Sequence, residues 1–181
     1  MRPTKVKGRI WVLKDEQGRV IHDIDTDQIY HNRHLAVTEI SEMGKYALGN
    51  LKGWEDFPQK AKEGDIIFAG KNFGAGSSRQ HAVDCFKALG ISAIVADSFG
   101  AIYKRNAINS GFAIVEFPGL SELIEKGEFE SGNEVEIDFE TGKIRNLSTG
   151  KEFQAKPFSG VQMDIYQAGN LFAFGKKLER K

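Results

Sequence analysis

The chain has a single cysteine, Cys85, among 181 residues. No disulfide can form within it. It lacks the several thiolates that a self-contained iron–sulfur cluster or a cysteine-rich zinc site requires. Net charge is absent too: 25 Lys+Arg face 25 Asp+Glu, a formal balance of zero. That balance gives no general electrostatic grip on nucleic acid or an anionic membrane, so neither is expected as a partner. No apolar run approaches the ~20 residues of a membrane-spanning helix. The opening MRPTKVKGRIWVLKDEQG shows no apolar leader core or cleavage site, which points to the cytoplasm. The four histidines are His22, His31, His34 and His81. None form an H-x-x-x-H pair; His31 and His34 would share a face on a helix, but they read as polar loop residues, and no metal ligand is assigned. Internal repeats, low-complexity tracts and a G-x-x-x-x-G-K-[ST] phosphate loop are also missing.

What is present reads as one α/β domain over residues 1–181. KGRIWVL (7–13) alternates like a strand, DEQGR like a turn, and VIHDI (20–24) like a second short strand. VTEISEMGKYALGN (37–50) predicts a helix stopped at Gly49-Asn50. DIIFAG (65–70), ISAIVA (91–96) and FAIVEF (112–117) are short apolar runs rich in β-branched residues, the mark of buried strands. Ala82, Val83, Phe86 and Leu89 at helical spacing, and the segment 99–110 behind a Ser98 cap, place a helix in each gap. Strand–helix–strand–helix–strand with short links implies parallel pairing. NEVEIDF, IRNL and EFQA, separated by ETGK and STGK, read as a β-meander, and MDIYQAGNLFAFGKKLER as one closing helix with a basic end.

Chemistry concentrates in three stretches. NFGAGSSRQHA (72–82) follows a strand and opens a helix, where ligands bind in α/β folds. Ser77 is expected to cap that helix, with Gln80 completing a capping box. Arg79 in a first helical turn is unfavourable against the dipole, which suggests an anion nearby, best a carboxylate held by two N–H groups. By composition alone the stretch reads equally as a glycine turn, a serine cap and a surface arginine. GAGSSR has Arg where a dinucleotide fingerprint needs its last glycine, so a dinucleotide site is not expected. DIDTDQIYHNRH gathers Asp23, Asp25, Asp27, Thr26 and Arg33; its D-x-D-x-D lacks the glycine and closing glutamate of a calcium loop. In KRNAIN (104–109), Arg105 and Asn106 either face the same ligand or lie on a solvated helix face.

In this order the three blocks, D-x-D-T-D-Q-I, G-x-N-F-G-x-G-S-S-R-x-H-A and S-F-x-x-I-x-x-R-N-A-I-N-x-G, resemble the small subunits of 3-isopropylmalate dehydratase. More widely they are similar to the swivelling C-terminal domain of aconitase and homoaconitase. The match runs from about Gly8 to Phe117, and AGNL near residue 170 is also familiar. The resemblance implies a swivelling β/β/α domain with a parallel βαβαβ core and added β-strands. It implies a separate large subunit carrying a [4Fe–4S] cluster, with no cofactor bound by this chain. The pair would isomerise a hydroxy-diacid by dehydration and rehydration, 2-isopropylmalate to 3-isopropylmalate, in leucine biosynthesis. Ser77 matches the family's base, an alkoxide that takes the proton alpha to a carboxylate. The helix N-terminus would help hold that anion. Arg79 matches the carboxylate-binding arginine, and Thr26 and Asp27 the T-D pair lining the site; Ser78 and Arg33 join as substrate-binding residues. The chain departs from many relatives at Ala75, where they have Cys, and at Gln80, where they have Glu. After Arg33 comes HLAVT, with no arginine, and Leu35 and Val37 suit an isopropyl group rather than a third carboxylate. The alternatives are a homoaconitase or dimethylmalate-type dehydratase small subunit, or a carboxylate-binding module without catalysis.

Overall fold

Two four-residue runs, Ile66–Ala69 and Ala93–Ala96, are buried along their whole length. Side chains alternate across a sheet, so full burial requires cover on both faces, the situation of a parallel sheet wrapped by crossovers. The computed structural model, which describes residues 1–181, has that arrangement. Its elements in chain order are β1 (Lys5–Val12), α1 (Thr26–Ile29), α2 (Ile40–Met43), α3 (Phe57–Lys60), β2 (Ile66–Ala69), α4 (His81–Ala88) and β3 (Ala93–Ala96). Next come α5 (Ala101–Asn109), β4 (Ile114–Glu116), α6 (Leu120–Glu125), β5 (Glu134–Asp138), β6 (Lys143–Asn146), β7 (Lys151–Gln154), α7 (Gly160–Ala168) and α8 (Leu171–Glu179).

One seven-stranded sheet has the order β4-β3-β2-β1-β5-β6-β7. β1 to β4 are parallel neighbours, and β5, β6 and β7 continue antiparallel from the other side of β1. The expected α/β class, βαβαβ core and added strands are therefore those observed, with β1 as a fourth parallel strand. Alternate residues feed two cores. Ile67, Ala69 and Ile94 join Leu13, Phe73, Phe86 and Tyr103 on one face. Ile66, Phe68 and Val95 join Phe117, Phe129, Ile137 and Tyr166 on the other.

Four local expectations are corrected. VIHDI is not a strand: Val20 makes only an isolated bridge with Lys14. Residues 37–50 do not form one helix. α2 ends at Met43, a 3-10 turn follows over Gly44–Tyr46, and Leu48 takes φ 57. A Cβ on Gly44 would lie 3.2 Å from Leu89, so this turn is shaped by close packing on α4 rather than by its own periodicity. Ser98 caps nothing; its Oγ accepts from the Asn72 amide, and α5 begins after Gly100. The closing helix is two, α7 and α8, broken at Gly169 (φ 102), with Asn170 capping α8 through the Ala173 amide. The basic end is where expected, at Lys176 and Lys177. α6 had no sequence signal of its own; the Asp97 carboxylate starts it by accepting from the Gly119 and Ser121 amides.

Candidate functional site

The carboxyl ends of β1 and β2 prolong into each other. Asp25 and Ala75 form a parallel bridge, and the Thr26 amide donates to the Ala75 carbonyl at 2.9 Å. Phe73 and Phe99 do the same between the loops after β2 and β3. Three loops thus meet above the parallel strands; two carry the polar blocks at 23–34 and 72–82, and the third leads into α5, which carries the block at 104–109.

Asp25 places α1 by a full capping box: its carboxylate accepts from the Gln28 amide, and Gln28 Oε1 accepts from the Asp25 amide. This fixes Thr26, which is 2 % exposed, with Oγ1 3.5 Å from Ser77 Oγ. Gly74 (φ 83) and Gly76 (φ 97) turn the next loop through backbone angles that side chains resist. Ser77 and Ser78 come out exposed.

Ser77 is not the helix cap the sequence suggests. α4 begins at His81, its N-cap is Gln80, and no side chain caps it. Gln80 Nε2 instead donates to Ser110 Oγ at 2.6 Å and to Asp84 Oδ1 at 3.2 Å. The physical reason is the pull of α5 on the loop, which competes with a local capping box. An anion at Ser77 therefore does not sit on the α4 dipole. The loop offers other donors: the backbone N–H groups of Gly76 through Gln80 make no hydrogen bond within the chain.

Arg79 is 13 % exposed and held at one nitrogen. Its Nη1 donates to Asp27 Oδ1 at 3.0 Å and to the Tyr30 carbonyl at 2.8 Å. Nε and Nη2 have no partner in the chain, leaving one edge of the fork for a carboxylate. Asp27 is itself secured by the Asn32 amide at 2.9 Å and Asn50 Nδ2 at 3.1 Å. Burial opposes its ionisation, but the Asn32 amide, the Arg79 hydrogen bond and the charges of His31 and Arg79 hold its carboxyl below the ordinary value.

The segment 31–37 crosses beside this site and is pinned at both ends. Tyr30 gives its carbonyl to Arg79, and the His81 ring donates to the Val37 carbonyl at 3.0 Å. Between them Leu35 is 39 % exposed, whereas Val37 packs partly against the core. Arg33 is exposed, and its closest polar partner is His31 Nδ1. The structure thus gathers Thr26, Asp27, Ser77, Ser78 and Arg79 in one cluster and places Arg33, Leu35 and Val37 on the bordering segment. Asn50 belongs to the cluster through Asp27, though residue patterns marked it only as the end of an expected helix. Asn106 does face the loop, donating to Ser78 Oγ at 3.0 Å.

His34 stacks on Tyr46, centroids 3.7 Å apart, and Tyr30 Oη donates to the His34 carbonyl. Burial first, then the charges of Arg33, His31 and Lys45, lowers its pKa from the ordinary 6.5. The unfolded chain therefore binds the proton more readily. This stabilisation is complete above pH 6.5 and is lost as pH falls through the depressed folded value. Between about pH 7.5 and about pH 5.5 the melting temperature should fall further for the wild type than for His34→Phe, which keeps a stack but cannot titrate. Equal falls would remove His34 as the cause.

Cys85 is fully buried on α4, its thiol directed at the Ala82 carbonyl at 3.7 Å, and burial pushes its pKa well up. It is not disposed as a metal ligand, and no group of three or more His, Cys, Asp or Glu side chains converges elsewhere. No helix is long and apolar enough to cross a membrane.

Residues 22–119 match the aconitase C-terminal domain family. The chain is 44% identical over 173 residues to the 3-isopropylmalate dehydratase small subunit of Aquifex aeolicus, covering 96% of this chain and 95% of that one. It is 40% identical over 172 residues to the isopropylmalate/citramalate isomerase small subunit of Methanocaldococcus jannaschii, covering 95% and 94%. A crystal structure of 3-isopropylmalate dehydratase from the same organism superposes with a TM-score of 0.83 at 34% identity, covering 97% of this chain and 96% of that one.

Proposed function

We propose, since this chain belongs to the family of 3-isopropylmalate dehydratase small subunits and carries the aconitase C-terminal domain, that Ser77 and Arg79 form its half of an active site for hydroxy-diacid isomerisation. The chain is the small subunit of a hydro-lyase and acts with a large subunit. The observation that carries the site reading is the free edge of Arg79 beside an exposed Ser77 on a loop of unpaired amides.

The chemistry of this half follows. Asp27 and the Tyr30 carbonyl hold the Arg79 guanidinium so that Nε and Nη2 receive a substrate carboxylate in a planar grip. Ser77 Oγ, as the alkoxide, removes the proton alpha to that carboxylate. The unpaired amides of the 76–80 loop stabilise the alkoxide, replacing the helix dipole expected from sequence. Thr26 Oγ1, buried 3.5 Å away, fixes where Ser77 Oγ sits. On rehydration Ser77 returns the proton to the neighbouring carbon of the alkene. Removal of the hydroxyl falls to the large subunit, where the [4Fe–4S] cluster of the family would supply it. The 181 residues work as one swivel-type domain in this assembly, in the cytoplasm, and bind no cofactor of their own.

The pinned 31–37 segment presents Leu35 and Ala36 to the variable group of the diacid, with no cation among residues 34–38. A small apolar group, the isopropyl of isopropylmalate or the methyl of citramalate, fits this better than a third carboxylate. The pair, reconstituted without oxygen, should raise alkene absorbance with 2-isopropylmalate or citramalate at least tenfold faster than with homocitrate, an energy difference of about 1.4 kcal/mol. Preference for homocitrate would transfer the chain to the homoaconitase reading. Tight dicarboxylate binding with no turnover in any assembly would favour a binding module.

A further inference from the structure

Ser78 is bracketed differently from its neighbours. Arg79 ties the loop to α1, whereas Ser78 and Gln80 tie it to α5. Asn106, in the middle of α5, donates from Nδ2 to Ser78 Oγ at 3.0 Å. Its backbone carbonyl accepts from Ser110 Oγ at 2.7 Å, and Ser110 Oγ in turn accepts from Gln80 at 2.6 Å. The loop is thus fastened to α5 at two alternate residues, one on either side of Arg79.

A serine hydroxyl has one proton and two lone pairs. When Asn106 occupies a lone pair, the Ser78 proton is left to point elsewhere. No acceptor for it exists within the chain: Ser78 Oγ has Asn106 as its only protein partner. Ser78 is exposed and lies in sequence between the base candidate and the carboxylate-binding arginine, so a bound carboxylate is the acceptor its free proton would take. We infer that Asn106 is a positioning residue that fixes the polarity of Ser78, making Ser78 an obligate hydrogen-bond donor to the substrate carboxylate. This rests on the site reading above and extends it to α5.

The test uses the anaerobically assembled enzyme, with binding of 2-isopropylmalate and its turnover measured separately. Asn106→Asp keeps size and shape but offers an acceptor, so the Ser78 proton is drawn to the new carboxylate. Binding should weaken about 10- to 100-fold, the scale of one hydrogen bond to a charged group. Asn106→Ala frees the hydroxyl to rotate and should weaken binding less than Asn106→Asp does. In a Ser78→Ala background, Asn106→Asp should have little further effect, since the group it acts through is gone. Asn109→Asp, one turn along the same helix and without a hydrogen bond to the loop, should leave binding and turnover unchanged and controls for added charge.

A purely structural role for Asn106 gives the reverse order, with Asn106→Ala the worse variant and undiminished effects without Ser78. That outcome, or equal losses from Asn106→Asp and Asn109→Asp, overturns the inference. Because binding is read apart from turnover, loss of the Ser77 base reading and loss of this inference are distinguishable: the first removes only the turnover argument, the second shows in affinity.

Discussion

Replacing Ser77 by alanine should reduce turnover of the assembled enzyme about 10²- to 10⁴-fold, the range removed with a positioned general base. Substrate affinity should change little, because in the proposed site Arg79 rather than Ser77 holds the carboxylate. The loop should also keep its shape. Ser77 Oγ has one contact, the 3.5 Å approach to Thr26 Oγ1, and the side chain is exposed. Gly74, Gly76, Arg79, Asn106 and Ser110 set the loop instead. Steady-state kinetics, with size-exclusion chromatography to show that the two subunits still associate, would check this. Turnover within about threefold of wild type would sink the base assignment. A fall caused by lost association would instead make Ser77 an interface residue.

Gly74→Ala should destabilise the isolated small subunit by about 3 kcal/mol or more. The left-handed backbone (φ 83) costs a side chain about 1–2 kcal/mol. A Cβ there would also run into Tyr103, 2.7 Å from Cδ2 and closer still to Cβ and Cγ. Overpacking of this kind adds about 1–3 kcal/mol. Tyr103 has nowhere to retreat. It is 1% exposed, edge-on to Phe73 at 5.4 Å, stacked with Phe99, and its hydroxyl donates to the Ala82 carbonyl at 2.8 Å. For a chain of this length the melting temperature should drop by roughly 10 °C. Gly76→Ala isolates the backbone share: φ is 97, but its Cβ would meet Thr26 Oγ1 only at 3.7 Å, an ordinary contact. It should cost about 1–2 kcal/mol. Equal melting temperatures for the two variants would show that Tyr103 yields.

Much of this architecture was legible from residue patterns. The short apolar runs at 65–70, 91–96 and 112–117, rich in β-branched residues, read as buried strands, and they are β2, β3 and β4. The glycine-punctuated tail formed the β5-β6-β7 meander, because turn residues there act locally. The 37–50 helix failed because its turn is imposed from outside, by Ala88 and Leu89 of α4 against Gly44. The closing helix failed at Gly169, whose carbonyl would be struck by any side chain on Gly111, so the break is also a close approach of two backbones.

The same division runs through the site. Residue chemistry pointed to the candidate groups: the D-T-D, G-S-S-R and R-N-A-I-N blocks supply acid, hydroxyl, guanidinium and amide. Only the tertiary structure decided how they are aimed. Ser77 lies ahead of α4 rather than capping it because Gln80 is claimed by Ser110 at the C-terminal end of α5, a partner thirty residues away. One edge of Arg79 is free because Asp27 and Tyr30 occupy the other, and the Asn32 amide and Arg79 itself hold the Asp27 carboxyl below its ordinary value against burial. Local capping rules rank what a segment prefers alone. A hydrogen bond to a packed neighbour offers a similar energy from outside the segment, and which one wins is set by where the sheet places the two helices.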